Sequence, residues 1–496
     1  MYGGNKMSRT YNWKCGTCKA ELNEAGELVI TPADGIEGVL QRPFPWAEHY
    51  NDIQSVSFGE DIFDENGNYP VVINNRVYIS ITQEMFDRMK DAHQHYVFKD
   101  PAFDDWSSMQ ADFSFMDLTP INMEGANLEG SNMAFTNLRG ITVKSLWLRD
   151  ADLHGADLSY AEIGDPYGNT DMSGANLEGA LLLDADLYRV DFMNASMKGA
   201  VLDGANIRMS DMRAADMTGA SLIRTNLRRA NLSDVTWAGS RAVGTDMRWA
   251  IVKEAGLASA QETKDVLFDT LPDPFNDTGY RHISKEELNS IVEAHGHWLR
   301  QDCDGWENMR ADLRYCYISD YSDPAELSGV DLSGALLSNS ILWYADMICA
   351  NFEGADLSGT DLGGATLQRT NLCNTNLQGA VLFNTDADQA NLQNADLRYA
   401  DLAVAFLTRA NLSNAMLSDA VLENADLRYA DLTKADLSHS NLGYAKFAKA
   451  NLKDADITDS KIKGVNLSEI EQAITYGRDL RNSPDSHDDP DEHDNR

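Results

Sequence analysis

The chain has 496 residues, 43% of them hydrophobic and 9% aromatic, which is enough to bury cores in two or three domains and excludes a wholly disordered polymer. Its 41 Lys and Arg stand against 78 Asp and Glu, and the net charge of -37 excludes a surface that is basic overall, as general phosphate-backbone binding or docking on an anionic membrane requires. Six cysteines are too few for a disulfide framework, and neither a membrane-length apolar run nor a secretory signal is present, so a cytoplasmic protein is expected.

Residues 1–80 read as a small β-rich module. Short strands are expected around Trp13, from Gly26 to Ile30 and from Ile53 to Val56, and Val71 to Ile79 reads as a hairpin turning at Asn74 and Asn75. Cys15 and Cys18 read first as packing cysteines, with a redox pair or half of a zinc site as alternatives. A structural zinc needs four ligands, no second such pair exists, and His49 does not complete a set, so no metal or cofactor is expected. The order Cys15, Cys18, Gly26 to Ile30, Pro45-Trp46 and Ile53 to Val56 resembles the N-terminal β segment of bacterial surface leucine-rich-repeat proteins over residues 13–58. Those proteins are exported.

In residues 81–110, Phe86, Met89, His93 and Tyr96 fall at helical spacing and predict an amphipathic helix. Residues 111–257 carry a five-residue period, with Met123, Met133, Phe192, Met197 and Trp237 among its large apolar residues. One step of nine residues, between Ile163 and Met172 around Pro166, reads as a loop bulging from a corner. Residues 258–282, with Pro272 and Pro274, break the period and read as a linker. From Ile283 the pattern that began at Ile81 returns without a gap, and Trp306, Met309 and Ala311 answer Trp106, Met109 and Ala111, so the chain is an internal duplication. The helix in residues 283–310 has Ser284 and Glu287 as a capping box and Leu288, Val292, His295 and Trp298 on one face. His93 and His295 read as buried, hydrogen-bonded core histidines rather than ligands.

The repeat of residues 311–467 is the more regular. Every fifth residue from Leu327 to Leu467 gives 29 positions, of which 23 are Leu and all are apolar. Two residues before each lies a small residue, Ala in 20 cases, and between the two stands Asp eleven times and Asn eight times. A helix of 3.6 residues per turn would carry this pattern round all its faces and form no apolar stripe. A short extended piece fits: small residue in, Asp or Asn out, Leu in, then two polar residues at a corner. Four such sides close a square coil, and coils stack about 4.8 Å apart. The motif resembles the pentapeptide-repeat family, which implies an all-β fold of two tandem right-handed quadrilateral β-helices. An open end of such a tube is an unpaired sheet edge, and the helices are expected to cap it. A step of nine residues around Pro324 repeats the corner loop of the first block. Residues 468–477 read as a C-terminal capping helix, and 478–496 as an acidic disordered tail.

Residues twenty apart then share a face. Arg208, Arg228 and Arg248 form one column, with Arg213, Arg224, Arg229 and Trp249 beside it and Lys253 near Arg213. Arg369, Gln389, Arg409, Tyr429 and Lys449 form another. These are the expected interaction surface, unless neighbouring carboxylates neutralise it. No catalytic constellation appears, and a tube filled by Leu and Ala holds no pocket of perturbed polar groups, so a non-enzymatic scaffold with an unknown protein partner is expected. Direct nucleic-acid binding and membrane attachment are not. Some members of the family bind DNA gyrase as rods resembling B-DNA, which makes an acidic DNA-mimicking inhibitor or protector of gyrase or topoisomerase the alternative.

Overall fold

Extended residues twenty apart pair in parallel along both repeat blocks of the computed structural model, which describes residues 10–33, 38–50, 52–58, 62–64, 66–99, 106–165, 167–252, 257–271, 280–319 and 322–470. The chain divides into two units, Met1–Leu271 and Pro272–Arg496.

In both units the side of a coil is built the same way. The large interior residue and the small one two before it are buried, and the Asp or Asn between them carries the bridge to the next coil, as in Asn371 to Asn391. Each fully buried Leu contributes about 1.5–3 kcal/mol. The two residues after the Leu turn the corner, and the second is left-handed even when it is not glycine: φ is 55° at Arg369, 59° at Val404 and 63° at Tyr429. Two features hold this conformation, which L-residues otherwise avoid. The Asp or Asn side chain accepts the backbone N–H two residues on, as Asp356 Oδ1 does from Ser358 at 3.2 Å. The second corner residue donates its own N–H to the next coil, as Tyr429 does to Ala448 at 3.1 Å. Where Thr or Ser replaces the small Ala, its hydroxyl commonly donates to the carbonyl 23 residues earlier, as Thr370 does to Met347 at 2.7 Å, or to the one three earlier, as Ser340 does to Leu337 at 2.7 Å. These hydroxyls are thereby satisfied in the interior, with Ser131 Oγ the exception.

In the first unit, β1 (Tyr11–Cys15), β2 (Cys18–Leu22), β3 (Glu27–Pro32) and β5 (Ser55–Phe58) form one sheet, and β4 (Gly38–Leu40) pairs with β6 (Ile62–Asp64). Cys15 and Cys18 close the β1–β2 hairpin as a register pair, and both are buried. Gly16 makes the turn at φ 62°, where an added Cβ would lie 2.1 Å from the Val39 carbonyl oxygen. Burial pushes the Cys18 thiol up to about 11 and raises Cys15 as well, so neither is a ready thiolate. β7 (Pro70–Ile73) and β8 (Arg76–Ser80) form the hairpin, turning through Asn74 and Asn75, both left-handed. β8 pairs in parallel with β9 (Met116–Asp117) of the first coil, and Phe44 packs on Phe115 at 4.8 Å, so the N-terminal residues share one core with the repeats.

Helix α1 (Gln83–Val97) follows β8. Its His93 is fully buried: Nε2 donates to the Glu129 carbonyl at 3.0 Å, and Nδ1 accepts the Ala111 N–H at 3.1 Å. Around Pro166 the pairing interval lengthens, with Trp147 opposite Asp171 and Asp157 opposite Leu181, so the shortened step is an inserted loop. Asp165 organises that loop, accepting from the N–H groups of Tyr167 and Asn169 at 3.1 and 3.2 Å. At the other end the ladder does not stop at Leu257. β10 (Arg241–Val243) pairs with β12 (Glu262–Lys264), and β11 (Asp246–Ile251) with β13 (Leu267–Leu271), so residues 258–271, read as linker, continue the first unit.

In the second unit, β14 (Arg281–His282) pairs with β15 (Cys316–Ser319), and α2 (Lys285–Arg300) follows β14 as α1 follows β8. His295 repeats the pattern of His93, with the Ser333 carbonyl and the Ala311 N–H both at 3.1 Å. Tyr96 and Trp298 stack on the two imidazoles at 5.1 and 5.0 Å. Ser284 Oγ accepts the Glu287 N–H at 3.2 Å, but Glu287 turns to Arg281 instead of back to the cap, so only half of the capping box forms. Around Pro324, Asp312 pairs with Leu336, and the ladder then runs to Lys461. A short helix, Leu467–Ile470, follows. The rest of the C-terminal helix and the acidic tail lie outside the described residues, as do residues 272–279 of the linker.

Candidate interaction surface

The twenty-residue columns sort into two kinds by corner position. Arg208, Arg213, Arg228 and Arg248 are first corner residues, two after the bridging Asp or Asn. Where the bridging residue is Asp, as before Arg213 and Arg248, the arginine meets the carboxylate of its own side, whereas Arg208 and Arg228 follow Asn206 and Asn226. Arg213 Nε and Nη2 bind the two oxygens of Asp211 at 2.9 and 2.5 Å, and Arg248 binds Asp246 at 3.0 and 2.7 Å. The Asp-x-Arg clamp recurs at Asp312 with Arg314, Asp396 with Arg398 and Asp426 with Arg428. Arg228 reaches Asp246 too, at 2.5 Å. Burial, opposed by Asp246 and aided by Arg208 and Arg248, lowers the Arg228 guanidinium to about 10. Burial works against the charged form of Asp246, yet Arg248 and Arg228 hold its carboxyl below the usual range.

In the first-unit column Arg228 and Arg248 thus share one carboxylate, Asp246, while Arg208 and Arg228 each follow an asparagine, and part of the column is closed off. Arg208 is 5% and Trp249 6% exposed, so these two candidates offer a partner no contact area. Trp249 lies in β11, which β13 covers as the ladder continues past Leu257. Arg224 and Arg229 stand at second corner positions, both at φ 58°. Lys253 lies outside the described residues.

The second-unit column consists entirely of second corner residues, with φ between 55° and 63° at Arg369, Gln389, Arg409, Tyr429 and Lys449. Its centre is a ring between two cations. Arg409 Cζ lies 5.5 Å and Lys449 Nζ 5.1 Å from the Tyr429 ring centroid, and Lys449 donates to the Tyr429 hydroxyl at 3.3 Å. Tyr429 is 50% exposed, and the Arg409 side chain 60%. Asp388 anchors the lower part, accepting from Gln389 at 2.7 Å and from Thr408, with Arg409 at 3.7 Å. Those hydrogen bonds, Thr408 first, hold its carboxyl low, with Arg409 and Arg369 adding to them. Five residues about 4.8 Å apart make a ridge of roughly 19 Å. It is cationic and aromatic on an acidic chain.

The pentapeptide-repeat model matches residues 109–142, 170–253 and 325–468, over half of the sequence. The chain belongs to the pentapeptide-repeat family. No curated protein sequence matches it. Among solved structures, HetL, a pentapeptide repeat protein involved in heterocyst differentiation regulation from the cyanobacterium Nostoc sp. strain PCC 7120, is 22% identical over 64% of this chain and 90% of its own, with a TM-score of 0.22. A trypsin-treated form of QnrB1, a plasmid-mediated fluoroquinolone resistance protein, is 15% identical over 34% and 84%, with a TM-score of 0.28. A pentapeptide repeat protein of the Arabidopsis thaliana thylakoid lumen is 31% identical over 22% and 70%, with a TM-score of 0.12. Family members form right-handed β-helices, in keeping with the ladders of both units. Among the described residues, no helix is long and apolar enough to cross a membrane.

Proposed function

We propose that this pentapeptide-repeat protein is a non-enzymatic binding scaffold of two tandem quadrilateral β-helices, each with a helical cap, that presents fixed corner ridges to a protein partner. The ridge of Arg369, Gln389, Arg409, Tyr429 and Lys449 carries the reading. Its backbone is held in order by a hydrogen-bonded ladder, so little backbone freedom is lost when a partner docks, and Arg and Tyr are the residue types that anchor interfaces. A partner segment bearing carboxylates would answer the cations and cover the ring. Several residues that could do chemistry are spent on structure: the buried helix histidines His93 and His295 bind backbone, and Arg213 and Arg248 bind the aspartates of their own sides.

The DNA-mimicking alternative would be served by unbroken rows of negative charge. Along the second repeat the rows are broken, as in Asp361, Val381, Asp401 and Val421, or Asp386, Phe406 and Asp426. Such alternation keeps carboxylates from stacking about 4.8 Å apart, an arrangement that costs stability in the ladder. The test is affinity capture with the full chain and with an Arg409→Glu/Tyr429→Ala/Lys449→Glu variant of unchanged circular dichroism. A partner retained by the native chain should be lost from the variant, whereas equal retention would remove the ridge from the account.

A further inference from the structure

Where α2 ends, side chains of four different chemistries converge. His297 lies in its last turn, and Gln301, left-handed at φ 53°, stops the helix and turns Asp302 and Cys303 back toward it. An imidazole nitrogen, a carboxylate oxygen and the thiol of these three residues all lie within 4.8 Å of one another. His297 Nδ1 is 2.7 Å from Asp302 Oδ1, and Cys303 Sγ is 3.7 Å from the thioether of Met309. Two sulfurs on one edge of a tetrahedron with metal–sulfur bonds of about 2.3 Å would be roughly 3.8 Å apart. Arg300 Nε donates to the other oxygen of Asp302, Oδ2, at 2.6 Å, while its Nη2 lies 3.4 Å from His297 Nδ1. A carboxylate held on one oxygen with the second turned to a neighbouring donor is how an outer partner orients a metal ligand.

We propose that His297 Nδ1, Asp302 Oδ1 and Cys303 Sγ bind a zinc ion, with Met309 Sδ or a water in the fourth position. The donor set selects the ion: a thiol and an imidazole suit Zn²⁺, whereas Mg²⁺ and Ca²⁺ take oxygen. On binding, the Cys303 thiol releases its proton to solvent as the sulfur–zinc bond forms. His297 binds as neutral imidazole: the Nδ1 proton shared with Asp302 leaves to solvent, Nε2 carries the ring's one proton, and the hydrogen bond is replaced by the shared ion. The ion would tie the end of α2 to the segment leading into the second repeat. The first unit has no counterpart, because no cysteine lies between Cys18 and Cys303.

The test is titration of the metal-free full chain with Co²⁺ as a coloured substitute, followed by displacement with Zn²⁺. One equivalent should produce a thiolate-to-cobalt charge-transfer band that Zn²⁺ abolishes. Cys303→Ser should lose the band, and His297→Gln and Asp302→Asn should weaken binding roughly tenfold or more. Zn²⁺ should raise the melting temperature of the native chain but not of His297→Gln, which keeps the test open if the cysteine variant fails to fold. A native chain that gives no band overturns the site. So does a band that survives in folded Cys303→Ser, which would put the metal on another cysteine.

Discussion

Ala387 is the one small residue among the large interior positions of the second repeat, and it is fully buried. Its N–H reaches the Phe406 carbonyl at 2.8 Å, against 2.7 Å from Leu392 to Asn411, so the ladder between coils keeps its spacing along the tube at the smaller residue. Ala387→Leu should therefore stabilise the second unit by about 1 kcal/mol, read as a higher melting temperature, and a fall would mean that the stack has closed around the alanine. A second residue is out of step electrostatically. Asp191 stands between Asp171 and Asp211 in one column, and while Arg149 and Arg213 bind the outer two, burial and then the two neighbouring carboxylates raise Asp191 above the usual range despite its hydrogen bond from Met193. The second unit handles the same stacking with asparagine: Asn411, Asn391, Asn371 and Asn351 each donate to the residue below, ending at Asp331, at 2.9–3.1 Å. Asp191→Asn should raise stability at neutral pH, since like charges opposed on neighbouring strands cost about 0.2–1 kcal/mol. A raised carboxyl pKa makes that cost absent below the ordinary value of 3.8 and present above the folded one, so the gain should vanish in acid. A variant equally stabilised at pH 3 would contradict this origin.

At the scale of elements, each helix carries one buried histidine whose two ring nitrogens bind the backbone of its tube. Because Nδ1 accepts a backbone N–H and Nε2 donates to a carbonyl, both rings are neutral when the helices are seated, and burial lowers His93 and His295 below the ordinary 6.5. A depressed histidine pKa gives stability that is complete above pH 6.5 and declines as pH falls from there toward the folded value, where the unfolded chain alone takes up the proton. The slope is at most about 1.4 kcal/mol per pH unit for each histidine. Melting between pH 7 and 5 should show this decline, and His93→Gln/His295→Gln should flatten it; an unchanged slope would place the titration elsewhere. How far such elements are legible in sequence depends on whether they solve a repeated problem. Every side of a coil poses the same packing question, so Leu and Ala recur every five residues and the period reveals the tube, and both helices show through their apolar spacing. The strand before the first helix shows as an arm of the hairpin, but the one before the second does not, because Arg281–His282 is only two residues long and carries no alternating pattern. The left-handed corner is equally silent, being filled by Arg, Asn, Tyr or Val as well as Gly. The arginine columns were legible as columns, but Asp246, the one carboxylate of the first column, meets Arg248 through the Asp-x-Arg spacing within one side as well as Arg228 from the coil below.

At the scale of the whole molecule, the function proposed rests on one geometric fact: a side chain is placed by its sequence number modulo the coil, so residues far apart in sequence become a continuous ridge. The family match and the ladders both rest on that register. It can be tested away from the ridge, at the exposed second corners Lys434 and Asp454, which lie twenty apart with Lys434 donating its N–H to Lys453 at 2.9 Å. Stacked corners about 4.8 Å apart fall within the Cα separation of about 4.4–6.8 Å that a disulfide spans, whereas Lys434 and Lys449 sit on different corners of adjacent coils. The decisive measurement is peptide mapping by mass spectrometry after mild oxidation of the full chain carrying Lys434→Cys with Asp454→Cys, beside the pair Lys434→Cys with Lys449→Cys. The account predicts near-complete linkage in the first pair and none in the second; equal linkage in both, or linkage only in the second, would contradict the twenty-residue coil and with it the ridge.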